Sequence, residues 1–304
     1  MTPPPVARPK PRHEPTFRER IGAHSLLLTQ GEKDLAALLL QSFPEVAFES
    51  TAEIGRRVGV SAATVTRFFA KLGYAGFHAF RAEAQGAVRS MQSSPVDRLN
   101  PKAGGGASAA ATLKRGFELE RGNLDATLAG IRESEWIALA DRLLEPNGRI
   151  YVLGERKGFA VAYYLYIHLN LCLPNVTLLN FQGALTPDSL IRVSEDDLLI
   201  AIEGRRYVAS TRRVARAFLR KGAEVALWTD SPLSPIYKDA RFRVVLSTAS
   251  PGPFDSYAAA LALSNALANL LAEKLGRSLA KTLQEGEAVW REFHTFAQPG
   301  DGEE

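Results

Sequence analysis

The sequence predicts two domains, an all-α N-terminal domain followed by a three-layer α/β domain whose sheet has five mostly parallel strands. Three observations lead to this fold class. The chain of 304 residues is long enough for two domains that each bury a core. Apolar residues recur at helical spacing before about residue 90 and form short strand-length runs after Arg149. Residues 91–108, which separate the two patterns, are rich in Ser, Pro and Gly.

The predicted domain boundaries follow these changes in composition. Residues 1–15 are Pro-rich and basic, and we expect a disordered arm rather than a secretory signal. Residues 16–90 form the helical domain, and residues 91–108 form a linker. Residues 109–296 form the α/β domain with its flanking helices, and residues 297–304 form a flexible tail.

Composition limits the class of protein. The chain has 46% hydrophobic and 23% charged residues, and no apolar run approaches the roughly 20 residues that span a bilayer. A single cysteine, Cys172, fits a reducing compartment. No pair of histidines has metal-ligand spacing, and no nucleotide-binding glycine pattern occurs. We therefore expect a cytoplasmic protein with no membrane partner, metal or cofactor.

Two short amphipathic helices with a tight turn are predicted in STAEIGRRVGVSAATVTRFFAKLGYAGF, residues 50–77. Ser50 and Glu53 make a capping box, so the first helix begins at Thr51 and runs through Arg57. Gly59 can adopt the left-handed conformation that reverses the chain. This arrangement predicts the first half of a helix-turn-helix.

The second helix is capped by Ser61, runs to about Leu72 and is closed by Gly73. Val65, Phe68, Phe69 and Leu72 share one apolar stripe. The opposite face carries small, hydroxyl and basic residues, which suit a helix in the DNA major groove. A protein-interaction hairpin is the alternative for this pattern. The candidate DNA-contacting residues are Ser61, Ala63, Thr64, Thr66, Arg67 and Lys71.

The charge distribution favours DNA binding over the hairpin. Residues 1–90 contain twelve Lys or Arg and eight Asp or Glu, whereas residues 91–304 contain twenty-five of each. The entire excess of positive charge therefore lies in the segment with the helix-turn-helix pattern, and basic charge concentrated on one module is typical of phosphate binding.

Short apolar runs bounded by turn residues predict the strands of the second domain. Helices alternate with these strands, which implies right-handed crossovers and a flavodoxin-like parallel sheet covered on both faces. The predicted strands are residues 149–153, 176–179, 197–202, 224–228 and 242–246. The predicted helices are Ala109–Gly130, Phe159–Leu171, Ala209–Lys221, Ser256–Leu275 and Ser278–Phe296.

Ligands of open α/β sheets bind beyond the carboxyl ends of the strands, near helix N-termini that favour anions. That rule selects the loop that follows each predicted strand. These loops are residues 154–158, 180–183, 203–206, 229–231 and 247–250.

Two parts of the sequence resemble the RpiR/MurR transcriptional regulators. Leu28 to Phe80, with GVSAATVTRFFAKLGYAGF at its centre, is similar to their N-terminal domain. RRVARAFLRKGAEVALWTDSPLSP and FDSYAAALALSNALANLL are similar to parts of their SIS (sugar isomerase) domain. The resemblance covers nearly all of residues 20–295 and implies a dimer or tetramer that binds an operator in double-stranded DNA. It also implies a SIS domain that senses a phosphorylated sugar or related carbohydrate derivative.

The strand-end loops depart from the family pattern, which grips phosphate with hydroxyls and glycine amides. The family's first loop reads Gly-x-Gly-x-Ser, whereas this chain keeps Gly154 but has Arg156 and Gly158 at the next two positions. The family's third loop reads Ser-x-Ser-Gly followed by Thr, whereas residues 203–206 read EGRR and only Thr211 is kept.

Three interpretations of these substitutions remain open. The domain takes an altered ligand (an acidic sugar, or a cationic or zwitterionic metabolite), or it binds phosphate through charged donors such as arginine forks, or its charges neutralise one another and leave a dimerisation scaffold. The candidate ligand-binding residues are Gly154, Arg156, Lys157, Gly158, Glu203, Arg205, Arg206, Thr211, Thr229, Ser231 and Ser247.

Two other functions compete with an effector-sensing regulator. A sugar-phosphate isomerase needs a carboxylate base, for which Glu203 is the candidate, and usually a histidine, but no histidine falls in a predicted strand-end loop. We therefore expect no enzymatic activity. The other alternative is a DNA-binding dimer that responds to no effector.

Overall fold

The computed structural model describes residues 17–42, 45–99, 108–145, 147–179 and 186–296. The chain divides into two compact units, Met1–Gln92 and Ser93–Glu304. None of the helices in the described residues is long and apolar enough to cross a membrane.

The described residues of the first unit contain helices and no strand, as its sequence predicts. Its core is aromatic: the rings of Phe69 and Phe80 stack with centroids 4.4 Å apart, and Phe17 lies 4.8 Å from Phe80. The helices are α1 (Phe17–His24), α2 (Gln30–Ser42), α3 (Thr51–Val58), α4 (Ala62–Lys71) and α5 (Phe77–Gln92), with 3-10 turns at Ser25–Leu27 and Glu45–Phe48.

The predicted helix-turn-helix is confirmed in α3 and α4. The Ser50 hydroxyl accepts a hydrogen bond from the Glu53 amide at 3.2 Å, and Glu53 Oε2 accepts one from the Ser50 amide at 2.7 Å. Gly59 has the left-handed φ of 78° that the turn requires. A Cβ at Gly55 would lie 2.5 Å from the carbonyl oxygen of Val60, so the turn packs directly on the backbone of α3.

The second unit contains one five-stranded sheet in which every pair of neighbouring strands is parallel. All five predicted strands are present. The strand order is β2-β1-β3-β4-β5, which is the flavodoxin-like order. The fold class predicted from the sequence is therefore confirmed. The strands are β1 (Ile150–Gly154), β2 (Val176–Leu179), β3 (Leu198–Ile202), β4 (Glu224–Thr229) and β5 (Phe242–Val245).

Helices cover both faces of this sheet and bury a core on each. On one face Leu165 and Leu267 pack against Trp228 and its neighbours, and on the other Phe218 packs with Tyr151. The helices are α6 (Pro95–Arg98), α7 (Ala109–Gly130), α8 (Glu133–Leu143), α9 (Lys157–Cys172), α10 (Thr186–Ser189), α11 (Ala209–Arg220), α12 (Ala258–Leu275) and α13 (Arg277–Glu292).

The segment from Ser93 to Leu99 lies within the hinge or linker that the sequence predicts at residues 91–108. It contains α6, whose first turn is held by a capping box between Ser94 and Asp97. Arg98 at the end of α6 donates to Asp255 at 2.5 Å. The residues of the predicted linker that are described thus belong to the second unit from Ser93 onward.

Candidate functional site

The outward face of α4 carries the predicted DNA-contacting residues. The inward stripe of Val65, Phe68 and Phe69 is fully buried, so the rotation of the helix about its axis is fixed. Because of that rotation, the predicted residues face away from the core. Ser61, Ala63, Thr66, Arg67 and Lys71 are exposed, and Thr64 is half-buried.

Five of these side chains have hydrogen-bonding partners within the first unit. The Ser61 and Thr64 hydroxyls lie 2.9 Å apart, and Arg67 donates a long hydrogen bond of 3.5 Å to Thr64 Oγ1. The Ser61 hydroxyl caps α4 by accepting from the Thr64 amide at 3.1 Å, and Thr66 Oγ1 donates to the carbonyl of Ala62 at 3.1 Å. Lys71 Nζ lies 2.7 Å from Glu32 Oε2, which leaves the lysine less available to a phosphate. Arg67 pairs with no carboxylate in the described part of the chain, so it is the cation on this face that is free to bind an anion.

A small cavity lies at the carboxyl ends of β1 and β3, where the strand-end rule places the ligand site of the second unit. Its volume is about 60 Å³, well below the roughly 300–1,000 Å³ of typical ligand pockets. Charged side chains form most of its wall. The lining residues are Ser93, Pro95, Arg98, Glu155, Arg156, Lys157, Ile202, Glu203, Gly204, Arg205, Arg206, Val208, Thr211, Asp255 and Tyr257.

The Glu155 carboxylate accepts hydrogen bonds from the two side-chain hydroxyls in the first turn of α11. The Ser210 hydroxyl lies 2.7 and 2.8 Å from the two carboxylate oxygens of Glu155, and Thr211 Oγ1 donates to Glu155 Oε2 at 2.6 Å. The hydroxyls that a bound anion would use are therefore already bonded to an anion of the chain.

Asp255 forms ion pairs with three of the five cations that line the cavity. Its carboxylate accepts from Arg98 at 2.5 Å, from Arg205 at 3.1 Å and from Lys157 at 3.4 Å. Burial of Asp255 strengthens these contacts because few water molecules compete for the carboxylate. Three of the five cations that line the cavity thus share one buried carboxylate.

Glu203 and Asp230 are two further buried carboxyl groups at this edge of the sheet. Asp230 accepts from the Arg205 amide at 3.1 Å and from the Tyr207 hydroxyl at 3.0 Å. Glu203 Oε1 accepts from the Ser234 hydroxyl, whereas its Oε2 is buried with no hydrogen-bond partner among the described residues. Burial, together with the negative charges of Asp230 and Glu155, raises the pKa of Glu203 to about 7.

The structure brings together part of the predicted ligand set. Arg156, Lys157, Glu203, Arg205, Arg206 and Thr211 line the cavity, whereas Gly154, Gly158, Thr229, Ser231 and Ser247 do not. The predicted loop at residues 180–183 lies outside the described residues.

Packing explains why these five residues lie away from the cavity. A Cβ at Gly154 would lie 2.2 Å from the carbonyl oxygen of Gly158, and a Cβ at Gly158 would lie 2.7 Å from that of Ile202, so both glycines allow close backbone approach. Thr229 is buried at the end of β4. Ser247 donates to Asn123 Oδ1 on α7 at 2.9 Å, and the Ser231 hydroxyl accepts from the Leu233 amide at 3.2 Å.

The prediction omitted Asp255, Tyr257 and Arg98 from the ligand set. Asp255 lies ten residues beyond the end of β5, further than a strand-end rule reaches, and Arg98 falls in the predicted linker. Glu155 was in a selected loop, but its role depends on the hydroxyls of α11, which only the fold brings within reach.

The first unit and the sheet domain each match a known domain. Residues 16–90 match the helix-turn-helix domain of the rpiR family, and residues 143–270 match the SIS domain. The chain belongs to the RpiR family. An uncharacterized HTH-type transcriptional regulator of Clostridium perfringens is 19% identical over 222 residues, which is 73% of this chain and 78% of that protein.

Solved structures share the fold at low sequence identity. The sugar isomerase domain of an RpiR transcription factor from Sphaerobacter thermophilus has 24% identity and a TM-score of 0.55, covering 58% of this chain and 98% of its own. Vibrio vulnificus NanR, solved with ManNAc-6P, has 18% identity and a TM-score of 0.53, covering 93% of this chain and 100% of its own. This RpiR-family chain therefore combines a helix-turn-helix domain with a SIS domain.

Proposed function

We propose that this RpiR-family protein is a cytoplasmic transcriptional regulator that binds a DNA operator through α4, as a dimer or tetramer. The observation that carries the proposal is the outward face of α4, on which Arg67 stands exposed and unpaired with any carboxylate among the described residues. The capped turn and the buried aromatic stripe hold this face rigid. A rigid helix with small and hydroxyl side chains can approach base edges closely.

The cavity of the SIS domain supports sensing of a carbohydrate derivative that alters operator binding. Ser93, Pro95 and Arg98 line it, and they follow α5 of the helix-turn-helix domain directly in the chain. A ligand that competes for Asp255 would release Arg98 and free the segment that connects the two units. Such coupling requires the ligand to favour one arrangement of this segment over the other.

Selection from a random DNA library tests operator binding. We expect the full-length protein to enrich a two-fold symmetric sequence whose half-sites are spaced by helical turns, because a symmetric oligomer presents two copies of α4. Arg67→Ala should enrich this sequence less strongly than wild type, while Arg291→Ala, at an exposed arginine of α13, should enrich it as strongly as wild type. Absence of enrichment by the wild type would contradict the proposal.

One observation favours a second function, sugar-phosphate isomerisation. Glu203 is a buried carboxyl at a strand end, and its pKa of about 7 is suitable for a general base. Turnover of a panel of phosphosugars that is lost in Glu203→Gln would support this alternative. No histidine lies among the residues that line the cavity in the described part of the chain, so ring opening would need another group.

A further inference from the structure

The N-terminus of α11 has the properties of an anion site. The helix has twelve residues, so its first turn carries the partial positive charge of the unpaired amides and of the helix dipole. Ser210 and Thr211 add two hydroxyl donors in that first turn, and Thr211 is fully buried. An anion placed here would be stabilised by both effects.

Glu155 already fills this position. Both of its carboxylate oxygens accept hydrogen bonds from Ser210, and Oε2 also accepts one from Thr211. A phosphate that used these hydroxyls would have to displace Glu155 and then remain beside its negative charge. Three of the five cations that line the cavity, Arg98, Lys157 and Arg205, already share the charge of Asp255, which reduces what they can offer to such a phosphate.

The carboxylate oxygen of Glu203 that is unpaired among the described residues independently indicates which kind of ligand the cavity would accept. Its side chain is only 5% exposed and lines the same cavity, and its Oε2 has no hydrogen-bond partner within the described residues. A buried carboxylate oxygen without a donor is costly, so a ligand gains by supplying one. A cavity of about 60 Å³ has room for a hydroxyl or amino group in place of a few water molecules.

We propose, building on the proposed function, that Glu155 is a specificity-determining residue that excludes phosphorylated sugars from this cavity. The effector is then an unphosphorylated carbohydrate derivative that places a hydroxyl or amino donor against Glu203. Of the three interpretations of the substituted loops, this proposal corresponds to the first, in which the domain binds an altered ligand.

Isothermal titration calorimetry of the full chain with ManNAc-6P and with inorganic phosphate tests the proposal. We expect no measurable binding to the wild type and at least tenfold tighter binding to Glu155→Ala, in which the two hydroxyls are free. Glu287→Ala, an exposed acid of α13, is the matched control and should behave like the wild type. If Glu155→Ala does not fold, Glu155→Gln removes the charge at nearly constant volume and should still gain at least threefold.

Two results would overturn the proposal. One is binding of ManNAc-6P to the wild type as tightly as to the variants. The other is a folded variant, verified by its tryptophan emission, that gains no affinity for either ligand. Operator selection with the same preparations separates the two proposals, since the assignment of Glu155 can fail while operator binding is intact.

Discussion

Replacing Asp255 with asparagine tests whether one buried acid holds the cavity wall together. The variant keeps the shape of the side chain but removes the charge that Arg98, Arg205 and Lys157 share. We expect a large loss of stability, because the three positive charges then lie close together and, among the residues that the structure describes, only Arg205 keeps a carboxylate, that of Asp230 at 3.9 Å. Asp239→Asn is the matched control, since Asp239 is an exposed acid of the same unit that makes no ion pair in the described residues.

The size of the loss follows from the exposure of the partners. The side chain of Asp255 is 6% exposed, and those of Arg98 and Arg205 are 19% and 18% exposed. Breaking a buried ion pair costs about 3–5 kcal/mol, whereas a half-exposed partner such as Lys157 adds at most about 1 kcal/mol. Asparagine retains one acceptor oxygen, so we expect a loss of about 3 kcal/mol. For a unit of this size, that corresponds to a fall in Tm of roughly 6–12 °C.

Urea unfolding followed by tryptophan fluorescence measures this loss. The three tryptophans, Trp136, Trp228 and Trp290, all lie in the second unit, and Trp228 is fully buried, so the signal reports that unit alone. A free energy of unfolding for Asp255→Asn within about 0.5 kcal/mol of that for Asp239→Asn would refute the reasoning.

Three further predictions concern single residues. Glu203 has a folded-state pKa of about 7, so between pH 4.5 and 7 the native state binds more protons than the unfolded state, and stability falls as pH rises. In urea unfolding, Glu203 should lower the free energy of unfolding by about 3 kcal/mol at pH 8 relative to pH 4.5. In Glu203→Gln the free energy of unfolding should depend less steeply on pH. Arg156 has a φ of 53°, a conformation that glycine adopts at little cost, so Arg156→Gly should raise the free energy of unfolding of the second unit by about 1 kcal/mol. Gly55→Ala should push the turn away at Val60 and destabilise the first unit by about 1–3 kcal/mol, measured as faster amide hydrogen exchange in peptides from residues 17–92. Unchanged exchange in that variant would show that the turn can move without cost.

Local patterns in the sequence were sufficient to predict most of the fold. Capping residues and turn glycines determine where α3 and α4 begin and end, and short apolar runs indicate each strand. The helix α8 was missed, although the spacing of Trp136, Leu139, Ala140 and Leu143 indicates it, and three of these residues are buried in the core. The helix α6 was also missed, because one turn within a Ser- and Pro-rich segment is typical of a linker.

The position of the site was predictable from the sequence, but which of its side chains bond to one another was not. Parallel strands end at one edge of a sheet, so the positions of Arg156, Glu203 and Arg205 follow from the strand assignments. The choice of partners depends on distances between loops that no local pattern encodes. Asp255 joins the site from well beyond β5, and Glu155 binds hydroxyls that lie 55 and 56 residues away in the chain.

Fluorescence anisotropy with the selected operator is the most direct test of the claim that α4 recognises DNA. Arg67→Ala should weaken binding to the operator by about 1–3 kcal/mol, which is roughly 5- to 150-fold, with a smaller effect on random DNA of equal length at the same salt concentration. Arg291→Ala should bind both DNAs like the wild type. Equal operator affinity of Arg67→Ala and wild type would contradict the account.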